Sequence, residues 1–77
     1  MAARKKPRAL VTYRVEAQTP IAAGSHVIDS PTGLVYRVFA SRAIPGAQMI
    51  RARFVGDVFQ VRDGTYVQPV TLHQVGR

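Results

Sequence analysis

The sequence predicts an all-β protein, a small barrel of five to six short antiparallel strands behind a disordered basic N-terminal arm. Three observations predict it. Apolar and polar residues alternate with a period of two over several short runs, no stretch carries helical periodicity, and turn sequences bearing Gly or Pro separate the runs. At 77 residues the chain holds one domain at most, and a domain of this size buries only about 60% of the surface its unfolded chain exposes. Closing a small sheet on itself covers one face and removes its exposed edges, which favours a barrel.

Residues 1–8 contain Arg4, Lys5, Lys6 and Arg8, one Pro and no acid. Such a segment buries too little apolar surface to offset the entropy of ordering it, so it reads as a disordered arm, with the folded domain over residues 9–77. The arm contributes +4 of the formal net charge of +7 and leaves +3 for the domain. Residues 9–16 then alternate strictly: Ala9, Val11, Tyr13 and Val15 point one way, and Leu10, Thr12, Arg14 and Glu16 the other, as in a half-buried strand.

Thr19-Pro20 and Gly24 punctuate a loop before a short strand at 26–29. Ser30-Pro31-Thr32-Gly33 follows, with Pro and Gly at the positions a type I turn favours, and Asp29 reads as its starter. The hairpin partner at 34–40 is rich in β-branched and aromatic residues. Residues 41–47, with Pro45-Gly46, read as the next loop. Residues 48–55 alternate again, placing Ile50, Ala52 and Phe54 on one side and Met49, Arg51 and Arg53 on the other.

Gly56-Asp57 turns the chain into a strand at 58–62, and Asp63-Gly64 supplies a two-residue type I′ connection that pairs Arg62 with Thr65 and Val61 with Tyr66. Pro69 closes the strand at 65–68, because it has no N–H to give a central ladder. Residues 70–75 read as a 3-10 turn leading into one or two final pairing residues.

The stretch Gly24-Ser25-His26-Val27-Ile28-Asp29 with Gly33-Leu34-Val35-Tyr36-Arg37-Val38 resembles the opening of SH3-like barrels, including the KOW-type modules of transcription and ribosomal proteins. The ending, residues 66–75, is similar to their last strand, 3-10 turn and closing residues. Together these cover about half the chain. The matched positions are turn glycines and core aliphatics, so the resemblance implies the architecture and carries no site residues. The strand at 9–16 is an addition before the usual first one.

With no cysteine, disulfides and Cys-based zinc sites are excluded, which fits a reducing compartment such as the cytoplasm. No run reaches the roughly 18 apolar residues of a membrane span, and no apolar stretch follows the basic cluster as in a signal peptide. Acid–base chemistry would have to draw on Glu16, Asp29, Asp57, Asp63, His26 and His73. Three of these acids are explained by turns, the two histidines lack ligand spacing, and phosphate loops and nucleophile elbows are missing, so no catalytic, cofactor-binding or metal-binding residue is assigned and a non-enzyme is expected. The plasmid-borne type B dihydrofolate reductases are SH3-like barrels of this length, but their Val-Gln-Ile-Tyr motif is matched only by Val67-Gln68, with Pro69 following and no Trp in the chain.

What remains is cationic. Arg4, Lys5, Lys6 and Arg8 in the arm would release counterions on meeting phosphates, though charged tails also serve only solubility. Arg51 and Arg53, two residues apart, share the solvent face of one strand, and Arg37 and Arg62 stand on strands that could adjoin it. These eight are the candidate nucleic-acid-binding residues, weighed against ordinary solvated arginines whose stems cover apolar surface. Tyr13, Tyr36 and Tyr66 could stack on bases, yet each lies in a β pattern where a core or cross-strand role is commoner. Two functions follow. One is a module binding nucleic acid or a nucleoprotein complex of transcription, translation or a phage. The other is an adaptor that docks on a protein or on its own copy through Leu10, Ile44 and Met49, with self-association left open.

Overall fold

The computed structural model describes residues 9–17 and 19–75, so the arm with Arg4, Lys5, Lys6 and Arg8 lies outside the described residues. Within them the fold is all-β: β1 (Val11–Val15), β2 (His26–Asp29), β3 (Leu34–Ile44), β4 (Ala47–Asp57), a 3-10 turn (Val58–Gln60), β5 (Val67–Val70) and β6 (Leu72–Gln74). The strands form one curled half-barrel sheet in the order β5-β2-β3-β4-β1-β6. All pairings are antiparallel except β5 with β2, which is parallel.

The two marginal strands are parts of one segment separated only by Thr71, so the chain itself bridges the margins of the sheet. Asp29 holds this crossing. Its carboxylate, 9% exposed, accepts from the Leu72 N–H at 3.0 Å and from the Thr32 hydroxyl at 2.8 Å, while Ser30 N–H donates to the Val70 carbonyl at 2.8 Å. The architecture is compatible with an SH3-like barrel.

The core follows the period-two pattern. Val15, Val27, Val38, Ile50 and Ala52 are essentially inaccessible, Ile21 and Val70 join them, and Tyr13, Ala17, Tyr36 and Leu72 pack at the margin. Tyr13, Tyr36 and Phe54 form a chain of edge-on ring contacts with centroids 5.4 and 5.7 Å apart. Burial foremost, then the neighbouring Tyr36 and the Asp29 carboxylate, push the Tyr13 hydroxyl up to about 12. Two of the three tyrosines considered for stacking therefore pack against the core.

The structure departs from the sequence expectations in several places. Residues 41–44 continue β3 instead of starting a loop, and Pro45-Gly46 alone makes the turn, with Gly46 at φ +76°. Ser41, Arg42 and Ala43 are exposed, so ladder bonds and not burial hold them extended, which leaves no hydrophobic alternation to read. Residues 58–60 form a 3-10 turn instead of a strand, capped by Asp57, whose carboxylate accepts from Phe59 N–H at 3.1 Å. After it, Thr65 N–H donates to the Arg62 carbonyl at 3.0 Å, but only Gly64 has a positive φ, which is the type II signature and not type I′. No ladder flanks that turn. Finally, β5 includes Pro69, which a marginal strand paired on one side tolerates, and residues 72–74 are strand and not 3-10. The Ser30-Pro31 turn begins one residue early, since the Asp29 carbonyl accepts from both Thr32 and Gly33 N–H.

Two bulges set the outer surface. Val38 opposes Ala52 and Ala40 opposes Arg51, leaving Phe39 as the extra residue of β3; Val35 opposes Gly56 and Tyr36 opposes Phe54, leaving Val55 as the extra residue of β4. One buried polar side chain ties the β1–β2 connection to the barrel. Gln48, 8% exposed, accepts from Ile21 N–H at 2.9 Å and donates to the carbonyls of Ala17 at 3.1 Å and Thr19 at 2.9 Å.

Candidate nucleic-acid interface

Side chains alternate across a sheet, so the burial of Ile50 and Ala52 sends Arg51 to the outer surface between them. Cross-strand register then decides its neighbours. Arg51 stands between Ala40 on β3 and Thr12 on β1, and the next outward row joins Arg42 and Arg14 across Met49, with His73 beyond Arg14. Arg51, Arg42, Met49, Ala40 and Thr12 line a shallow hollow of about 260 Å³.

Toward the other end, Arg37 and Arg53 are directly opposed in the β3–β4 ladder. Like charges so placed repel. The bulge supplies a counterweight by bringing Phe39 to the surface, where the Arg37 guanidinium lies 5.3 Å and the Arg53 guanidinium 5.0 Å from its ring centroid. Arg53 is half-buried, and its enclosed Nε has no hydrogen-bond partner among the described residues.

Arg62 does not stand on a strand beside these. It sits in the irregular segment after the 3-10 turn, yet that segment folds back so that Arg62 and Arg37 line one open groove of about 420 Å³ with His26, Gln60, Val61 and Thr65. His26 is the register partner of Arg37 on β2. The groove lining contains no acid.

All four acids of the chain have other engagements. Glu16 pairs with Arg14 at 2.8 Å, the one ion pair among the described residues; Asp29 is buried at the β5–β6 crossing; Asp57 caps the 3-10 turn; Asp63 occupies the turn after Arg62. Arg37, Arg42, Arg51, Arg53 and Arg62 therefore have no carboxylate within ion-pairing distance among the described residues. Among those residues no three metal-ligating side chains converge, and no helix is long and apolar enough to cross a membrane.

Of the expected residues the structure thus brings Arg37 and Arg53 together on the ladder, reaches Arg62 through the groove, and leaves Arg51 on the same outer face one row away. Sequence reasoning missed Arg42, because its segment looked like a loop, and Phe39, because a bulge has no sequence signature there. It also missed the exposure of Phe59, at 91%, whose Val58-Phe59 run reads as strand; Tyr66, weighed for stacking but expected to pair with Val61, is unpaired with that residue and 75% exposed. The apolar groups proposed for docking, Leu10, Ile44 and Met49, are half-buried. In comparisons with known proteins, the chain matches no family model, no curated protein and no solved structure.

Proposed function

We propose that the chain is a non-catalytic binding module that contacts nucleic acid, alone or in a nucleoprotein complex, through the outer face of β3 and β4 and the groove beside it, with residues 1–8 adding cations. The observation that carries this reading is the opposed Arg37–Arg53 pair, steadied on Phe39 and without an ion-paired carboxylate among the described residues. Guanidiniums held side by side without acids are poised for an anionic partner, since their mutual repulsion is relieved when phosphate arrives. The KOW-type resemblance adds support only by analogy of architecture.

The test is binding of mixed DNA and RNA at graded salt. Affinity should fall log-linearly with salt, and removing a phosphate-contacting arginine should lower the slope by about 0.9 on duplex DNA. Arg37→Glu with Arg51→Glu, both exposed positions, should abolish binding with little change in melting temperature, and should hurt more than deletion of residues 1–8. Binding that survives the reversal but vanishes on deletion makes the barrel a passive carrier. Binding that survives both removes the nucleic-acid reading in favour of a protein adaptor.

A further inference from the structure

The two most exposed large hydrophobic residues described, Phe59 and Tyr66, do not line the groove between β2, β3 and the 60–65 segment, but the chain carries both next to it. Each is next in sequence to a groove-lining residue, Phe59 to Gln60 and Tyr66 to Thr65. Neither ring belongs to the core, which is built from aliphatic residues with Tyr13 and Tyr36 packed against them. Two aromatic rings this exposed, each adjacent in the chain to the same groove, offer apolar surface that a partner can cover, and the charge of the groove selects which partner. Arg37 and Arg62 in the groove and Arg53 beyond Phe39 have no carboxylate within ion-pairing distance among the described residues. The acids nearest in the chain are engaged, Asp57 in capping the 3-10 turn at Phe59 and Asp63 in the turn after Arg62, so an acidic partner with flat apolar groups fits the groove.

We propose that this groove binds single-stranded nucleic acid, with Phe59 and Tyr66 as stacking platforms for unpaired bases and Arg37 and Arg62 contacting the backbone between them. A duplex hides its base faces within the stack and can meet only the arginines. A single strand offers π-faces and phosphates together, which is the combination of cationic groove and protruding rings assembled here. The inference rests on the nucleic-acid reading above and narrows it to one strand and one site. Phe39 has a different task in it. Its ring, already engaged by two guanidiniums, positions Arg37 and Arg53 instead of taking a base.

The test uses the full chain, an oligo-dT of about 12 nucleotides and a mixed-sequence duplex of equal length. The chain has no tryptophan, so Phe59→Trp introduces a single reporter. Its emission should be quenched by oligo-dT and unaffected by the duplex. Phe59→Leu keeps apolar bulk but removes the π-face; it and Tyr66→Ala should each weaken oligo-dT binding about 5- to 100-fold, leaving the salt slope, the duplex affinity and the melting temperature unchanged. Unquenched indole emission from Phe59→Trp, or Phe59→Leu binding oligo-dT like the parent, overturns the proposal and makes this apolar tip a protein-docking feature. If the duplex binds as tightly as the single strand while Arg37→Glu with Arg51→Glu still abolishes both, stacking falls and the basic-face reading stands. If neither oligonucleotide binds at any salt, both fall.

Discussion

Gln48→Leu should unfold this protein more readily than any single change at its arginine face. The buried amide accepts one backbone hydrogen bond, from Ile21, and donates two, to Ala17 and Thr19. Leucine matches the shape closely but satisfies none of them: the buried Ile21 N–H left unpaired forfeits about 1–3 kcal/mol, and the part-buried bonds to the Ala17 and Thr19 carbonyls, which water can replace, add less. The expected loss is about 3 kcal/mol, against a total stability of about 4–12 kcal/mol for a 77-residue domain. At about 4–8 °C per kcal/mol for domains of this size, the melting midpoint should drop by about 12–24 °C in a thermal unfolding scan followed by circular dichroism. Gln48→Glu should be harmful too at neutral pH, because a buried carboxylate would face two carbonyl oxygens, and part of its deficit should be recovered in mild acid as the group protonates and regains a donor. A Gln48→Leu midpoint within about 3 °C of the parent would refute the reasoning, because it would mean that the 17–21 connection is held by the burial of Ile21 alone.

Two further predictions concern stability. Gly56 lies at φ +154° beside a bulge, and a Cβ there would overlap the Gln60 side chain. Gly56→Ala should cost about 1–2 kcal/mol by urea denaturation, and adding Gln60→Ala should recover little of it, because a flexible side chain can move whereas the backbone strain stays. For Tyr13, the folded value of about 12 exceeds the unfolded value of 10.0, so the folded state keeps its proton longer. This stabilisation is fully present below pH 10 and is lost as pH rises toward 12, so alkaline unfolding should steepen over that window and should be shallower in Tyr13→Phe.

The alternation in residues 9–16 and 48–55 was enough to place Val15, Ile50 and Ala52 inside and Arg14 and Arg51 outside, because side-chain direction in a strand is a local property of period two. That Arg37, Arg42, Arg51, Arg53 and Arg62 have no ion pair among the described residues was also partly legible, since Asp29, Asp57 and Asp63 each stand at a turn signal. What one strand meets is not local. The opposition of Arg37 to Arg53 depends on register, and the surfacing of Phe39 on a bulge in the β3–β4 ladder. Arg62 reaches Arg37 through the fold-back of residues 58–66, where Val58 and Phe59 carry the apolar, β-branched character of a strand yet lie in solvent. Composition and period establish which faces a strand has. Tertiary structure alone decides which charges and rings those faces bring together, because pairing partners come from distant sequence and are chosen by the burial of the whole sheet.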